Sequence, residues 1–375
     1  MTINAMTVSA GQALAVVKSG WDMQDKAGIK MSYMLHGRPG IGKTQIAEAL
    51  ARHIGGRLYD IRLTQIDTSD LRGLPYYDHE SETTKWYRPE DLPRDSEPAV
   101  LFLDEITAAS PFLQPTVYGL LQERRVGMHK IPDNVIIMAA GNTVDDGAVA
   151  YEMGTAISDR LMHMYVQADA DDWIKSYAIP NKIHPSVQAF IKTRPDKLET
   201  SQEAMKQDHM ISATPRSWAR VSDIMYHVSD RQLRSIMVAG TIGEALMADF
   251  MIVADDIAAS VQVYDMLEAK RDDRVKMYPT NMYGLNALVF GLLGALDLKE
   301  GKNAAEAIEI LYDLGRLAEL VPDEEAFKTI PLKELRTHGF ESLIQALMDA
   351  GIYDVFDHSE AFQAYSAERE KDGLQ

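Results

Sequence analysis

Cysteine is absent from all 375 residues. That single gap excludes disulfides, thiol nucleophiles and thiolate metal sites together. Also missing is any apolar run near the ~18 residues that a membrane span requires. The opening Met1-Thr2-Ile3-Asn4-Ala5 has neither the basic start nor the apolar stretch of a secretory signal. The expectation is a cytoplasmic protein with no membrane span. Positive charge is scarce as well: 38 Lys and Arg face 56 Asp and Glu, a formal net charge of −18. Broad nucleic-acid binding needs a basic surface and is therefore disfavoured, although an acidic surface also serves solubility alone. A hydrophobic content of 46% with 25% charged residues suits a chain that buries a large core. Its length suggests two or three domains.

The most informative segment present is Gly37-Arg38-Pro39-Gly40-Ile41-Gly42-Lys43-Thr44, which fits G-x-x-x-x-G-K-[ST]. An apolar run, Met31 to Leu35, reads as the strand entering it. After it, Ile46, Ala47, Leu50, Ala51 and Ile54 share one helical face. Strand, glycine loop and helix together make a triphosphate site. Glycines let backbone N–H groups close around phosphates, and the helix N-terminus adds partial positive charge. The expected ligand is ATP or GTP with Mg²⁺. Lys43 would reach the β- and γ-phosphates and Thr44 would ligate the metal. The binding segment runs from Gly37 to Gln45.

Residues 1–168 alternate strand-like and helix-like stretches, the pattern of a parallel sheet flanked by helices. Expected strands are Met31–His36, Arg57–Leu63, Ala99–Leu103, Val135–Ala140 and His163–Gln167. Helices are expected over Lys43–Ile54 and Pro111–Arg124. Leu71–Arg94, with Tyr76-Tyr77 and Trp86-Tyr87 around a polar turn, reads as an inserted β-hairpin, and Arg125–Pro132 as a shorter one. Beyond residue 169 the expected elements are helices: Asp171–Ile179, Pro185–Lys192, Pro215–Val228, Gln232–Asp256, Ala304–Leu320 and Glu341–Ala350, with 368–375 frayed.

Two further strands end in polar residues. Ala99-Val100-Leu101-Phe102-Leu103 runs into Asp104-Glu105, where Asp104 suits the Mg²⁺ shell and Glu105 suits a general base for water. Val135 to Gly141 runs into Asn142, whose amide can hold both the attacking water and a γ-phosphate; it equally suits a strand-terminating turn.

The phosphate loop, Leu103-Asp104-Glu105-Ile106, the strand ending in Asn142 and Ser158-Asp159-Arg160-Leu161, in that order, resemble an AAA+ ATPase, and more narrowly the MoxR-like group. Ser69-Asp70-Leu71-Arg72-Gly73, Leu121-Gln122-Glu123-Arg124-Arg125-Val126 and Ala213-Thr214-Pro215-Arg216 extend the match over residues 10–255. Leu161, where the group often has Phe, and the short stretch from Val126 to Pro132 depart from it.

The resemblance implies an α/β AAA+ P-loop domain over 1–168 with a hairpin insert near 71–94. An α-helical lid over 169–257 and an α-helical C-terminal extension over 258–375 would follow. It implies ATP over GTP, Asn142 as the sensor of the γ-phosphate, Arg160 as an arginine finger acting on a neighbouring subunit, and Arg216 as a second sensor. It also implies a hexameric homo-oligomer, a protein client, and a partner carrying a von Willebrand factor A domain. In that reading the hairpin and a loop at Met128 and His129 face the pore or the client. A nucleic-acid motor contacting its ligand through Lys85, Arg88 and Lys130, and a weakly hydrolysing interaction switch, are the alternatives.

Overall fold

The computed structural model describes residues 4–94, 97–142 and 158–371. The chain divides into two compact units. The first comprises residues 1–172 with 202–208 and 214–216; the second holds the remainder.

The first unit is built on six parallel strands: β1 (Thr7–Val8), β2 (Ser32–His36), β3 (Arg57–Arg62), β6 (Ala99–Asp104), β9 (Val135–Gly141) and β10 (Leu161–Val166). Their order across the sheet is β1-β10-β2-β9-β6-β3. β6 and β9 read as unbroken apolar runs because both of their faces are covered. Alternation divides their side chains between two cores. Leu101, Leu103, Ile137 and Ala139 pack on one side with the helix Gln114–Glu123. Val100, Phe102, Ile136 and Met138 pack on the other with α1 (Ala10–Ala27) and α2 (Lys43–His53). Each fully buried Leu, Ile or Phe contributes ~2 kcal/mol by removal of apolar surface from water.

Five strands were expected. The sixth, β1, is two residues long and pairs Thr7 with Tyr165 and Val8 with Val166, too short to carry a sequence period. α1 was also not anticipated. Its start is a capping box in which Ser9 Oγ accepts from the Gln12 N–H and the Gln12 side chain accepts from the Ser9 N–H.

Two hairpins stand apart from the main sheet. β4 (Pro75–Asp78) pairs with β5 (Thr83–Trp86), and β7 (Arg125–Val126) with β8 (His129–Lys130). Tyr76 stacks on Tyr87 at 4.3 Å, and the Arg72 guanidinium lies 4.9 Å from the Trp86 ring. Tyr77 and Met128 are strongly exposed.

Every regular element described after Val166 is helical. The second unit takes in the stretch expected as extension and most of that expected as lid, while 169–172, 202–208 and 214–216 belong to the first. Its centre holds Phe190, Trp218 and Phe250, all buried, with ring centroids 5.4–5.5 Å apart. The expected single helix Gln232–Asp256 is two, Arg231–Ile242 and Glu244–Ser260, because Gly243 (φ 91°) breaks the run. Likewise Ala304–Leu320 is interrupted: Ala304–Leu314 ends at Gly315, and a short turn, Leu317–Leu320, follows. Met282–Ala295 escaped the periodicity reading because it is buried all round, leaving no polar face to detect. Of residues 368–375, expected to fray, 368–371 close the helix Glu360–Lys371 and 372–375 lie outside the described residues; in that helix Tyr365 stacks on Phe340 at 4.0 Å and Glu368 pairs with Arg336 at 2.9 Å.

His184 gives this unit a pH signature. Burial, with the Arg234 charge as a smaller cause, lowers its pKa from 6.5 to about 4. Between those values the unfolded chain binds a proton that the folded one refuses, so this stabilisation is full above pH 6.5 and is lost as pH falls towards 4. Urea unfolding should show a loss of up to about 3 kcal/mol over that interval. His184→Gln should flatten the slope; an unchanged slope would remove His184 as its source.

Candidate nucleotide site

The loop between β2 and α2 adopts backbone angles that only glycine takes easily. Gly37, Gly40 and Gly42 have φ of 139°, 82° and 101°. At Gly40 there is a second reason: an added Cβ would sit 2.8 Å from Thr214 Oγ1. The Thr214-Pro215-Arg216 segment therefore closes onto the loop, and the Arg216 backbone N–H donates to Gly40 O at 3.2 Å. Pro39 lies in the loop and Ile41 is buried against the core under it. Thr44 and Gln45 lie in the first turn of α2, whose N-cap Gly42 offers no side-chain bond to the helix N–H groups.

Lys43 is buried. Its ammonium donates to Gly37 O at 2.5 Å, to Arg38 O at 2.8 Å and to Asn142 Oδ1 at 2.9 Å. That last bond joins the glycine loop to the end of β9 across 99 residues of sequence. Thr107 then fixes the other side of Asn142, donating from Oγ1 to its carbonyl at 2.9 Å.

At the end of β6, burial pushes the Asp104 carboxyl above the usual range, opposed by the Glu105 backbone N–H and the Lys43 charge. The Glu105 N–H donates to Asp104 Oδ1 at 2.9 Å. Glu105 itself is left-handed (φ 57°), a conformation costing a non-glycine residue about 1 kcal/mol or more. Its carboxylate accepts a hydrogen bond from Thr64 Oγ1, just beyond β3. Sequence reading passed over Thr64 and Thr107. Both are small polar residues at strand or turn ends, and no spacing marks them as partners of Glu105 and Asn142.

Arg160 is held elsewhere, on the helix Gln114–Glu123. Its Nη1 donates to the Tyr118 hydroxyl at 3.1 Å and its guanidinium lies 5.0 Å from the ring centroid. The structure thus gathers the glycine loop, Lys43, Asp104, Asn142 and the Arg216 backbone, puts Glu105 beside Thr64, and seats Arg160 on Tyr118.

These residues suit a triphosphate with Mg²⁺. A buried ammonium, a glycine-lined helix N-terminus and one half-buried carboxylate match the donor set for phosphate and for a hard cation. No cluster of three or more His, Cys, Asp or Glu able to hold a metal by itself occurs among the described residues. Thr44 and Asp104 would be the protein side of a magnesium shared with phosphates.

Residues 32–161 match the AAA domain (dynein-related subfamily). An AAA-ATPase of Arabidopsis thaliana is 41% identical over 64 residues, which are 16% of this chain and 13% of that protein. Among solved structures, two point mutants of RuvB from Thermotoga maritima are weakly similar to this chain. One is 14% identical, covering 75% of this chain and 81% of its own, with a TM-score of 0.37. The other is 15% identical, covering 82% and 87%, with a TM-score of 0.36. The matched residues hold most of the parallel sheet flanked by helices, which is the AAA+ P-loop fold. No helix among the described residues is long and apolar enough to cross a membrane.

Proposed function

We propose that this protein is a MoxR-like AAA+ ATPase that hydrolyses ATP in a hexameric ring to remodel or activate a protein client, with a von Willebrand factor A domain protein as partner. The observation that carries the reading is the bond from Lys43 to Asn142, which couples the phosphate loop to a side chain able to sense the γ-phosphate. Bound Mg²⁺ would supply charge neutralisation of the phosphates between Thr44 and Asp104. Glu105 takes the proton of the attacking water, Asn142 orients that water, and Arg160 leaves Tyr118 to serve a neighbour's phosphates. Arg216, whose backbone closes on Gly40, acts as the second sensor. In this reading residues 1–168 form the ATPase domain, 169–257 the lid and 258–375 a helical extension.

The nucleic-acid alternative loses support at its own residues. Lys85 is paired with Asp78, Lys130 lies 3.7 Å from Asp133, and Arg88 donates to the Lys130 carbonyl at 3.2 Å. Those cations are neutralised or occupied locally, so a phosphate backbone would compete with existing partners.

Glu105→Gln keeps the side chain's size and removes its basicity, so ATP should bind and persist. Mass photometry of this variant is expected to show a six-subunit particle on addition of Mg·ATP. A particle that stays monomeric at saturating nucleotide would sink the ring reading.

A further inference from the structure

The second unit contains a cavity of about 460 Å³, within the range of small-molecule sites. It lies among the helices Pro185–Thr193, Pro215–His227, Arg231–Ile242, Glu244–Ser260 and Met282–Ala295. Ala254, Ile257, Ala287 and Phe290 give it a buried apolar floor.

Its charge is the opposite of the chain's. No Asp or Glu lines it, although acidic residues outnumber basic ones 56 to 38 overall. Two acids of the lining helix Glu244–Ser260 are engaged elsewhere. Asp255 accepts from Arg231 Nε at 2.9 Å and Nη2 at 2.5 Å, and Asp256 accepts from Asn281 at 2.9 Å. Two cations do line the cavity, Lys182 and Arg234. The Lys182 charge acts on Asp297, which is outside the lining. Arg234 has no ion pair among the described residues; its Nε donates to Val228 O at 2.8 Å, which fixes the guanidinium and leaves its two terminal nitrogens as donors.

A third donor stands beside it. His184 Nδ1 accepts from the Ser186 N–H at 3.2 Å, which puts the ring proton on Nε2. The ring lies edge-on to Tyr226 at 4.8 Å. Its lowered pKa keeps it neutral, so it adds a hydrogen-bond donor without a second full charge.

A guanidinium fork is matched by a carboxylate. A guanidinium whose terminal nitrogens are unengaged, set against hydrocarbon walls, selects a negative head group on an apolar body, and disfavours nucleotides and other polyanions, whose further charges would be left desolvated. We propose that this cavity binds a small apolar monoanion, a medium-chain or aromatic carboxylate. Its head group bonds Arg234 and the His184 Nε2–H, and its hydrocarbon lies on Ile257, Ala287 and Phe290.

The test is calorimetric titration of the full chain, without nucleotide, with octanoate and with octanol. Octanoate should bind saturably and at least about tenfold more tightly than octanol, the margin of a charge-assisted bond. Arg234→Gln should remove that margin while leaving octanol affinity unchanged. Equal affinity of the two probes for the native chain, or no saturable binding of octanoate, overturns the proposal even if the variant fails to fold. Full octanoate affinity in a folded Arg234→Gln chain overturns it too. None of these outcomes depends on ATP hydrolysis, so the proposed ATPase activity stands or falls separately.

Discussion

Arg160→Ala is expected to lower Mg·ATP turnover by about 10³-fold or more, with ATP affinity little changed. The proposed finger stabilises charge spread over the phosphoryl oxygens as bonds to the leaving group lengthen, a charge that the ground state lacks. In the single chain Arg160 rests on Tyr118, bonded to its hydroxyl and over its ring. Its proposed action therefore requires a neighbour's phosphates to draw the guanidinium away. The measurement is steady-state turnover at saturating ATP beside equilibrium binding of a fluorescent ATP analogue. Mixing Arg160→Ala with Glu105→Gln subunits adds a sharper reading. In a mixed ring some interfaces join an intact Glu105 to an intact Arg160, so partial activity should return. Turnover that never returns on mixing, or an Arg160→Ala chain with native turnover, would count against the finger.

Lys43→Ala should abolish measurable nucleotide binding, raising Kd by about 100-fold or more. Each charge-assisted bond to phosphate is worth roughly 1.5–3 kcal/mol, and the ammonium would serve two phosphate groups. In the structure the same ammonium is bonded to Gly37 O, Arg38 O and Asn142 Oδ1. Those oxygens hold it in the loop, ready to exchange partners as phosphates arrive. Thermal unfolding gives a second readout. The native chain should melt several degrees higher with saturating Mg·ATP, because a ligand bound only by the folded state stabilises it. The variant should show no such shift. A Lys43→Ala chain that binds ATP with native affinity would remove the nucleotide assignment from this loop.

What the sequence determined by itself was mostly local chemistry. The glycine loop, Asp104-Glu105 and Asn142 were legible because each is a short run at the end of an apolar strand. Such runs show themselves wherever burial on both faces makes them continuous, as in β6 and β9. The same rule failed for Met282–Ala295, where burial on every side erased the helical period, and for the two-residue β1, too short to show one. Gly243 was visible as a residue; that it takes φ 91° and splits one helix into two was not. Only the tertiary structure decided who meets whom. It set Lys43 against Asn142, Thr64 against Glu105, the Arg216 backbone against Gly40, and Arg160 against Tyr118. It also gathered Arg234 and His184 around an acid-free cavity. Sequence carries the chemistry of each side chain and the period of its own element. The distances between elements come from packing two cores on one sheet and a bundle of helices around Trp218, and no window along the chain contains that information.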